Sequence, residues 1–408
     1  MTFDEAAALD ATDPLAFVRD HFALPPGVTY LDGNSLGALP KATAARVGET
    51  IRKQWGEDLI ASWNKHDWID WPARVAVKLA PIVGAKPNEL LITDSTSICL
   101  FKLLAAAVRA RPGRKTILTE AANFPTDLYV AQGLVKLWPH LRLKAVELED
   151  IGTAIDEDTA VVALTHVDYR GGRRHDMAVI NAAARAAGAL ALWDLSHSAG
   201  ALALDLTAAG CELAVGCGYK YLNGGPGAPA FVFVAEPLQA EMETPLPGWM
   251  GHAEPFAFAS DYERASGMRQ WLTGTPSILA LAALDSGLDT FADVAMAKVE
   301  AKARRLTQLF IDEAEARCGD AIRLAGPREA AARGSHVSFA HPQGYAVMQA
   351  LIDRRIIGDF RAPDLMRFGF APLYNSFADA VGAAEALADI VATRAWDQPR
   401  FHQRGKVT

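Results

Sequence analysis

The sequence predicts an α/β protein: a mostly parallel sheet covered on both faces by helices, with a smaller α+β domain at its C-terminal side. Three observations predict it. The strand-like segments are near-continuous apolar runs, as strands buried on both faces are. They interleave with helix-like segments, which is the pattern of a parallel sheet with crossover helices. From about Asp285 onward the character changes to one long amphipathic helix followed by strand, helix, strand, strand.

The elements follow in order. "ELLITDSTSICLFKLLAAAVRA" is a strand ending at Ile92 or Thr93, a polar turn, then a helix with apolar residues at helical spacing. "RKTILTEAANFPTD" is a short strand running into a loop that holds Asp127. "AVVALTHVDYRGG" is a buried strand ending in a polar, glycine-containing loop. "VINAAARAAGALALWDLSHSAG" is a helix stopped near Gly188, then a strand, then a polar turn. "CELAVGCGYKYLNGG" and "APAFVFV" are two further strands, with Lys220 on the first. In such sheets ligands bind beyond the carboxyl ends of the strands, and every polar turn just named falls there. The small domain opens with "DVAMAKVEAKARRLTQLFIDEAEARCG" as its long helix.

Bulk properties narrow the function. At 408 residues the chain is long enough for a large domain with a companion. A net charge of −8 and a pI near 5.7 argue against nucleic acid or anionic membrane as the main partner. The N-terminus lacks a signal-peptide pattern and no run reaches the roughly 18 apolar residues of a membrane span. Cys99, Cys211, Cys217 and Cys318 are scattered without a C-x-x-C pair. That fits reduced thiols in the cytoplasm and makes a zinc site improbable, so no metal is expected.

Several polar residues sit where chemistry is done. Thr96 and Ser97 lie at a strand-to-helix junction, where free N–H groups and the positive helix end favour a phosphate; taken alone they would be simple helix caps. Asp194 ends a buried strand, a costly place for a carboxylate without a partner. A protonated ring nitrogen of a cofactor would be such a partner; so, more blandly, would the next turn. His197 follows three residues on. Asp127 after a proline would by itself be an ordinary turn residue. Lys220 would by itself be a solvated lysine, but a Schiff-base lysine needs partial desolvation and the flanking glycines allow a close backbone approach. The order is more telling than any member. A phosphate anchor, a pyridinium partner and a Schiff-base lysine are together what pyridoxal 5'-phosphate requires.

These residues stand in stretches that resemble one family along nearly the whole chain: "YLDGNSLGALP", "STSICLFKLL", "NFPTD", "DLSHSAGAL", "GYKYLNGGPG", "PGWMGH", "GTPSILALAAL" and "RFGFAPLYNSF". The sequence resembles kynureninase, a fold-type I pyridoxal-phosphate enzyme of the aminotransferase class V group. The resemblance implies a large cofactor domain (41–284) with a mostly parallel seven-stranded sheet, and a small C-terminal domain (285–408). Residues 1–40 would contribute to the small domain and the active site. It implies a cytoplasmic homodimer with the active site at the subunit interface. The implied reaction is the hydrolysis of L-kynurenine to anthranilate and L-alanine in tryptophan catabolism, with 3-hydroxykynurenine as the second substrate of the class.

Residue by residue, Lys220 matches the Schiff-base lysine and Asp194 the carboxylate on the pyridine nitrogen, with His197 as its helper. Phe124 matches the aromatic stacked on the cofactor ring, and Asp127 and Thr165 match further cofactor contacts. Thr96 and Ser97 match the phosphate end. Tyr219 matches a tyrosine that touches the phosphate and relays protons. Trp249 and Thr275 match positions that reach the cofactor of the partner subunit. Arg367 matches the arginine that grips the substrate carboxylate, a bidentate task suited to guanidinium. Asn34 and Ser35 lie near the implied substrate. His66 corresponds to a ring-contacting histidine, among Trp63, Trp68 and Trp71, which suit either an anthraniloyl wall or plain packing. Rival readings on the same fold are a cysteine desulfurase or selenocysteine lyase, which needs a mobile reactive cysteine, and an aminotransferase. A silent cofactor-binding homologue is the reading outside catalysis; Lys220, Asp194, Tyr219 and Arg367 together argue against it.

Overall fold

The computed structural model describes residues 1–405. The apolar runs assemble into a seven-stranded sheet: β1 (Leu90–Thr93), β2 (Thr116–Glu120), β3 (Arg142–Val146), β4 (Thr159–Thr165), β5 (Leu190–Asp194), β6 (Leu213–Gly216) and β7 (Ala230–Val234). Their order across the sheet is β1-β7-β6-β5-β4-β2-β3. β2 to β6 pair in parallel, and β7 runs antiparallel to both β6 and β1. Six strands therefore point the same way and share one carboxyl edge.

Helices cover both faces. Within β1, Leu90 and Ile92 enter one core and Leu91 the other. On the first face lie α1 (Trp71–Val83), through Val75 and Leu79, and α5 (Ile278–Leu288), through Leu281 and Leu284. On the second lie α2 (Thr96–Arg109), through Leu100, Leu103 and Leu104, and α3 (Pro125–Leu137), through Ala131 and Leu134. Each large apolar side chain so buried stabilises the fold by about 1.5–3 kcal/mol. The helix α4 (Met177–Ala186) links β4 to β5. The edge strand β3 differs from the others: it is not buried, and Arg142 pairs with Asp158 at 2.7 Å. Charge on an edge strand discourages pairing with another chain, and it also removes the apolar run by which the other strands are legible.

Two local expectations are corrected. Asp127 is not in a loop but in the first turn of α3, because Pro125 at the first helical position starts the helix there. Lys220 is not on a strand: β6 ends at Gly216, and the lysine lies in the loop beyond it. That loop is self-bonded, with Asn223 N donating to Lys220 O (2.9 Å) and Gly224 N to Gly218 O (2.9 Å). Asn223 adopts a left-handed backbone (φ 58°), and Gly225 and Gly227 follow it at positive φ to return the chain into β7.

The C-terminal unit has four antiparallel strands in the order β10-β11-β9-β8: β8 (Arg323–Leu324), β9 (His336–Ala340), β10 (Asp359–Arg361) and β11 (Leu365–Gly369). Three helices, α6 (Met296–Cys318), α7 (Gly344–Asp353) and α8 (Phe377–Thr393), enclose a third core around Phe310, Phe339 and Phe368. The N-terminal segment packs onto this unit: Ala6 joins its core, and Thr29–Tyr30 pairs in parallel with Ile356–Ile357. α5 runs unbroken across the boundary expected at 284/285.

Candidate active site

A cavity of about 230 Å³ opens at the shared carboxyl edge. Nine residues singled out from the sequence line it: Thr96, Ser97, Phe124, Asp127, Thr165, Asp194, His197, Tyr219 and Lys220. Each comes from the segment just beyond a strand or from the strand's last residue, so the sheet's common direction brings them together. Thr126, Tyr169 and Ser196 complete the lining.

At one end, α2 begins beside β1. Ser95 holds the N-cap position but makes no capping bond. The first N–H groups of α2 are therefore left for a ligand, with the Thr96 and Ser97 hydroxyls beside them. On the adjoining wall, Asn123 orders the start of α3. Its Oδ1 accepts from Phe124 N (2.8 Å) and from Thr165 Oγ1 (2.6 Å), and its Nδ2 donates to Thr119 Oγ1 (3.0 Å). Phe124 is thereby fixed over the cavity and 37% exposed, with Tyr169 edge-on to it at 5.2 Å. Asp127 Oδ2 lies 3.1 Å from Thr165 Oγ1. Burial, and then the charge of Asp194, hold the Asp127 carboxyl well above the usual carboxylate range.

Asp194 faces the cavity from the end of β5. Its Oδ1 accepts from Ser196 N (2.7 Å). Burial raises its pKa, and the bond from Ser196 and the charge of Lys220 only partly oppose this. A cation placed against it would favour the ionised form. His197, its ring edge-on to His336 at 5.3 Å, is buried; burial, then Lys220, His336 and Arg367, push its pKa well below the ordinary histidine value. It is a neutral ring at pH 7, and its Nδ1 has no protein partner. An orphaned buried nitrogen in the lining of the same cavity as a buried carboxylate is what a bound polar group would satisfy.

Lys220 closes the cavity. Its Nζ lies 5.7 Å from the centre of the Tyr219 ring. Burial, with Cys217 and Asp194, raises the Tyr219 pKa, so the phenol keeps its proton at neutral pH. The "GNSLG" segment lies against this loop, with Gly37 N donating to Tyr219 O at 2.8 Å. A Cβ on Gly37 would come within 2.3 Å of Lys220 O, so only glycine permits this approach. Tyr221 points the other way, into the core, where it is 2% exposed.

Arg367 stands on β11 with its head toward the Tyr169 side of the cavity, where its Nη1 donates to Tyr169 O. It is 1% exposed. Asp359 on β10 takes its Nε at 2.7 Å and its Nη2 through the second oxygen. Ser35 Oγ donates to the same carboxylate at 2.9 Å, and Arg361 pairs with it at 2.9 Å. Burial alone would raise the Asp359 pKa, but these bonds and charges bring it below the ordinary value. Asp32, nearby, goes the other way: burial and the Asp359 charge push it up to about 7. Asn34 is buried beside Gly369, its amide without a protein partner. Asp359, Asp32 and Tyr169 were not singled out in the sequence. The register of β10 against β11, which pairs Asp359 with Arg367, is what brings the first of them in.

Six expected site residues lie outside the cavity lining: Arg367, Asn34 and Ser35, just described, and Trp249, Thr275 and His66. Trp249 is 37% exposed and packs with Phe256 and Phe258, which are more exposed still. Thr275 is likewise exposed. His66 Nε2 bonds Asp58 Oδ2 at 2.7 Å. Of the neighbouring tryptophans, Trp71 is core, 6% exposed and bonded to Asp285; Trp63 and Trp68 pack edge-to-face at 5.8 Å against the two cores. No cysteine lines the cavity. Cys99, Cys211 and Cys217 are buried with raised pKa values, and Cys318, in α6, is pushed up to about 11 by partial burial. The mobile, activated thiol that sulfur transfer needs is therefore missing among the described residues, where no three-residue cluster of metal ligands occurs either.

The residues fit a phosphorylated pyridine aldehyde. Helix N–H groups and hydroxyls await an anion, an aromatic face awaits a ring, a buried carboxylate awaits a ring cation, and an amine awaits the aldehyde. Comparison with known proteins points the same way. Residues 299–387 match the family described as the kynureninase C-terminal domain. The chain is 50% identical to the kynureninase of Pseudomonas fluorescens over 414 aligned positions, covering all of both chains, and equally so to that of Burkholderia mallei strain SAVP1. Among solved structures, the apo cysteine desulfurase of Thermococcus onnurineus NA1 matches with a TM-score of 0.78 at 20% identity, covering 92% of this chain and 98% of that one. A C-DES mutant with glycine covalently linked to its pyridoxal-phosphate cofactor also gives 0.78, at 18% identity, covering 91% and 99%. Likeness at that identity speaks for the fold.

Proposed function

The chain belongs to the kynureninase family, and from that premise we propose how its own residues carry out the family's reaction, the hydrolysis of L-kynurenine to anthranilate and L-alanine. The observation that carries the reading is the meeting of Lys220, Asp194 and Tyr219 with Phe124 and the α2 N-terminus around one cavity. Thr96, Ser97 and the free N–H groups of α2 would hold the phosphate of pyridoxal 5'-phosphate, Phe124 its ring face, Asp194 its ring nitrogen and Lys220 its aldehyde. When bound, that cofactor supplies the electron sink for breaking bonds at the substrate's α- and β-carbons.

The rest is the protein's work. Arg367, oriented by Asp359, binds the substrate carboxylate and points the α-carbon at Lys220. Lys220, as a free amine, would take the proton from the substrate α-carbon and return it to that carbon before alanine leaves. Asp194, buried at the end of its strand, would stay ionised against a ring cation. Water adds to the γ-carbonyl, the Cβ–Cγ bond breaks, and the carboxyl product anthranilate departs. Tyr219, whose phenol keeps its proton, would protonate the β-carbon of the remaining three-carbon fragment, which leaves as alanine. Desulfuration finds less support, because no cysteine reaches the cavity.

The exposed Trp249, Phe256 and Phe258, together with Leu59 and Ile60, support a homodimer in which Trp249 and Thr275 complete the partner's cavity. No described helix is long and apolar enough to cross a membrane, which is consistent with the cytoplasmic location we propose.

The test is purified protein, pyridoxal phosphate and kynurenine, followed by anthranilate fluorescence. Steady release supports the reading. Sulfide from cysteine without anthranilate from kynurenine would replace it with the desulfurase reading.

A further inference from the structure

Lys102 is a charge in the wrong place for a surface helix. It sits on the buried face of α2, 0% exposed, between Cys99, Leu103 and the second core. Its Nζ donates to Asp94 Oδ2 at 2.6 Å and to Trp271 O at 2.7 Å. Removing a lysine from water is costly, and a methionine would fill the same volume without that cost. What the ammonium does that a methionine cannot is tie two distant backbone segments to one point.

Both segments lead to the phosphate end of the cavity. Asp94 is the residue between β1 and the α2 cap, held in a left-handed conformation (φ 41°) that few residues adopt. It is directly followed by Ser95, Thr96 and Ser97, and its carbonyl accepts from Ala230 N, the first residue of β7 (2.9 Å). Trp271, fully buried, ends the turn that leads into Thr273 and Thr275. Thr273 O in turn accepts from Met250 N at 3.4 Å, next to Trp249. One buried ammonium therefore spans the turn that carries Thr96 and Ser97 and the segment that carries Thr275 and supports Trp249.

We propose that Lys102 is a positioning residue for the cofactor phosphate: its bonds to Asp94 and Trp271 hold the phosphate-binding turn and the Trp249/Thr275 segment in fixed register. This rests on reading the cavity as a pyridoxal phosphate site. In a dimer of the kind proposed above, the same lysine would set its own subunit's turn and the contribution made to the partner's.

The experiment compares the wild-type apoprotein with Lys102→Met, each titrated with pyridoxal phosphate and with pyridoxal, which lacks the phosphate. Binding is read from visible absorbance and protein fluorescence, with no substrate present. Loss of charged hydrogen bonds at a phosphate anchor should weaken pyridoxal phosphate by about tenfold or more while pyridoxal changes less than about twofold. Equal weakening of both compounds, or of neither, overturns the proposal, since a general structural lesion does not discriminate by phosphate. Should Lys102→Met fail to fold, Asp94→Asn, which leaves the bond to Trp271 O, is read by the same criterion. A wild-type protein that binds neither compound removes the assignment of the cavity, and the proposal with it.

Discussion

Asp32→Asn isolates the acid whose environment is most at odds with its neighbour's. Asp32 and Asp359 converge on the Arg367 site, and Asp359 has the cations: Arg367 and Arg361 both bond it. Asp32 Oδ1 is buried without a partner. Burial and the Asp359 charge push the Asp32 pKa from 3.8 up to about 7. The folded protein thus keeps a proton that the unfolded chain has already released. Stability arising from this group is complete below pH 3.8 and is lost as pH rises through about 7. Between pH 5 and 8 roughly two pH units of that window are crossed, worth about 2–3 kcal/mol. Asparagine has nearly the same shape and cannot titrate. Relative to wild type, Asp32→Asn should therefore gain about 2–3 kcal/mol of stability at pH 8 over its standing at pH 5. Urea unfolding of the apoprotein at the two pH values measures this directly. The same charge bears on function, since an ionised Asp32 opposes a substrate carboxylate approaching Arg367: wild-type KM should rise above pH 7 and that of the variant should not. An Asp32→Asn effect of equal size at pH 5 and pH 8 would refute the reasoning.

Other variants test other parts of the site. Lys220→Ala should lose the visible absorbance of the lysine-bound cofactor and nearly all turnover; normal turnover would sink the assignment. Asp194→Asn should lower kcat by at least about a hundredfold, because a neutral amide cannot hold a ring cation, while melting temperature holds or rises as a buried acid is removed. Gly37→Ala should cost about 1–3 kcal/mol of stability and reduce turnover, since the added Cβ meets Lys220 O at 2.3 Å; an unchanged urea midpoint would show that the loop yields freely.

Much of this was legible in the chain itself. β1, β4, β5, β6 and β7 are buried along their whole length, and burial on both faces leaves no room for polar alternation, so their sequences announce them. The strand β3 hides because an edge strand carries charges. The polar residues that end the buried strands, Thr165 and Asp194 among them, could be read as a site because a parallel sheet gathers its carboxyl ends. Helix and loop bounds were less legible: Pro125 moved Asp127 into a helix, and the self-bonded loop from Gly218 to Gly224 took Lys220 off the strand.

By itself, then, the sequence determined the layers, the edge at which chemistry occurs and the residue types available there, because these follow from local hydrophobic pattern and strand direction. Only the tertiary structure decided how those residues are charged and held. Lys102 reads as one more lysine on a helix until Asp94 and the Trp271 carbonyl are found around it. Arg367 reads as a free guanidinium until β10 is laid against β11 and Asp359 takes two of its donors. Asp32 and Asp359 are the same acid in sequence, and which one keeps its proton is settled by the cations and the burial that folding brings from segments more than three hundred residues apart.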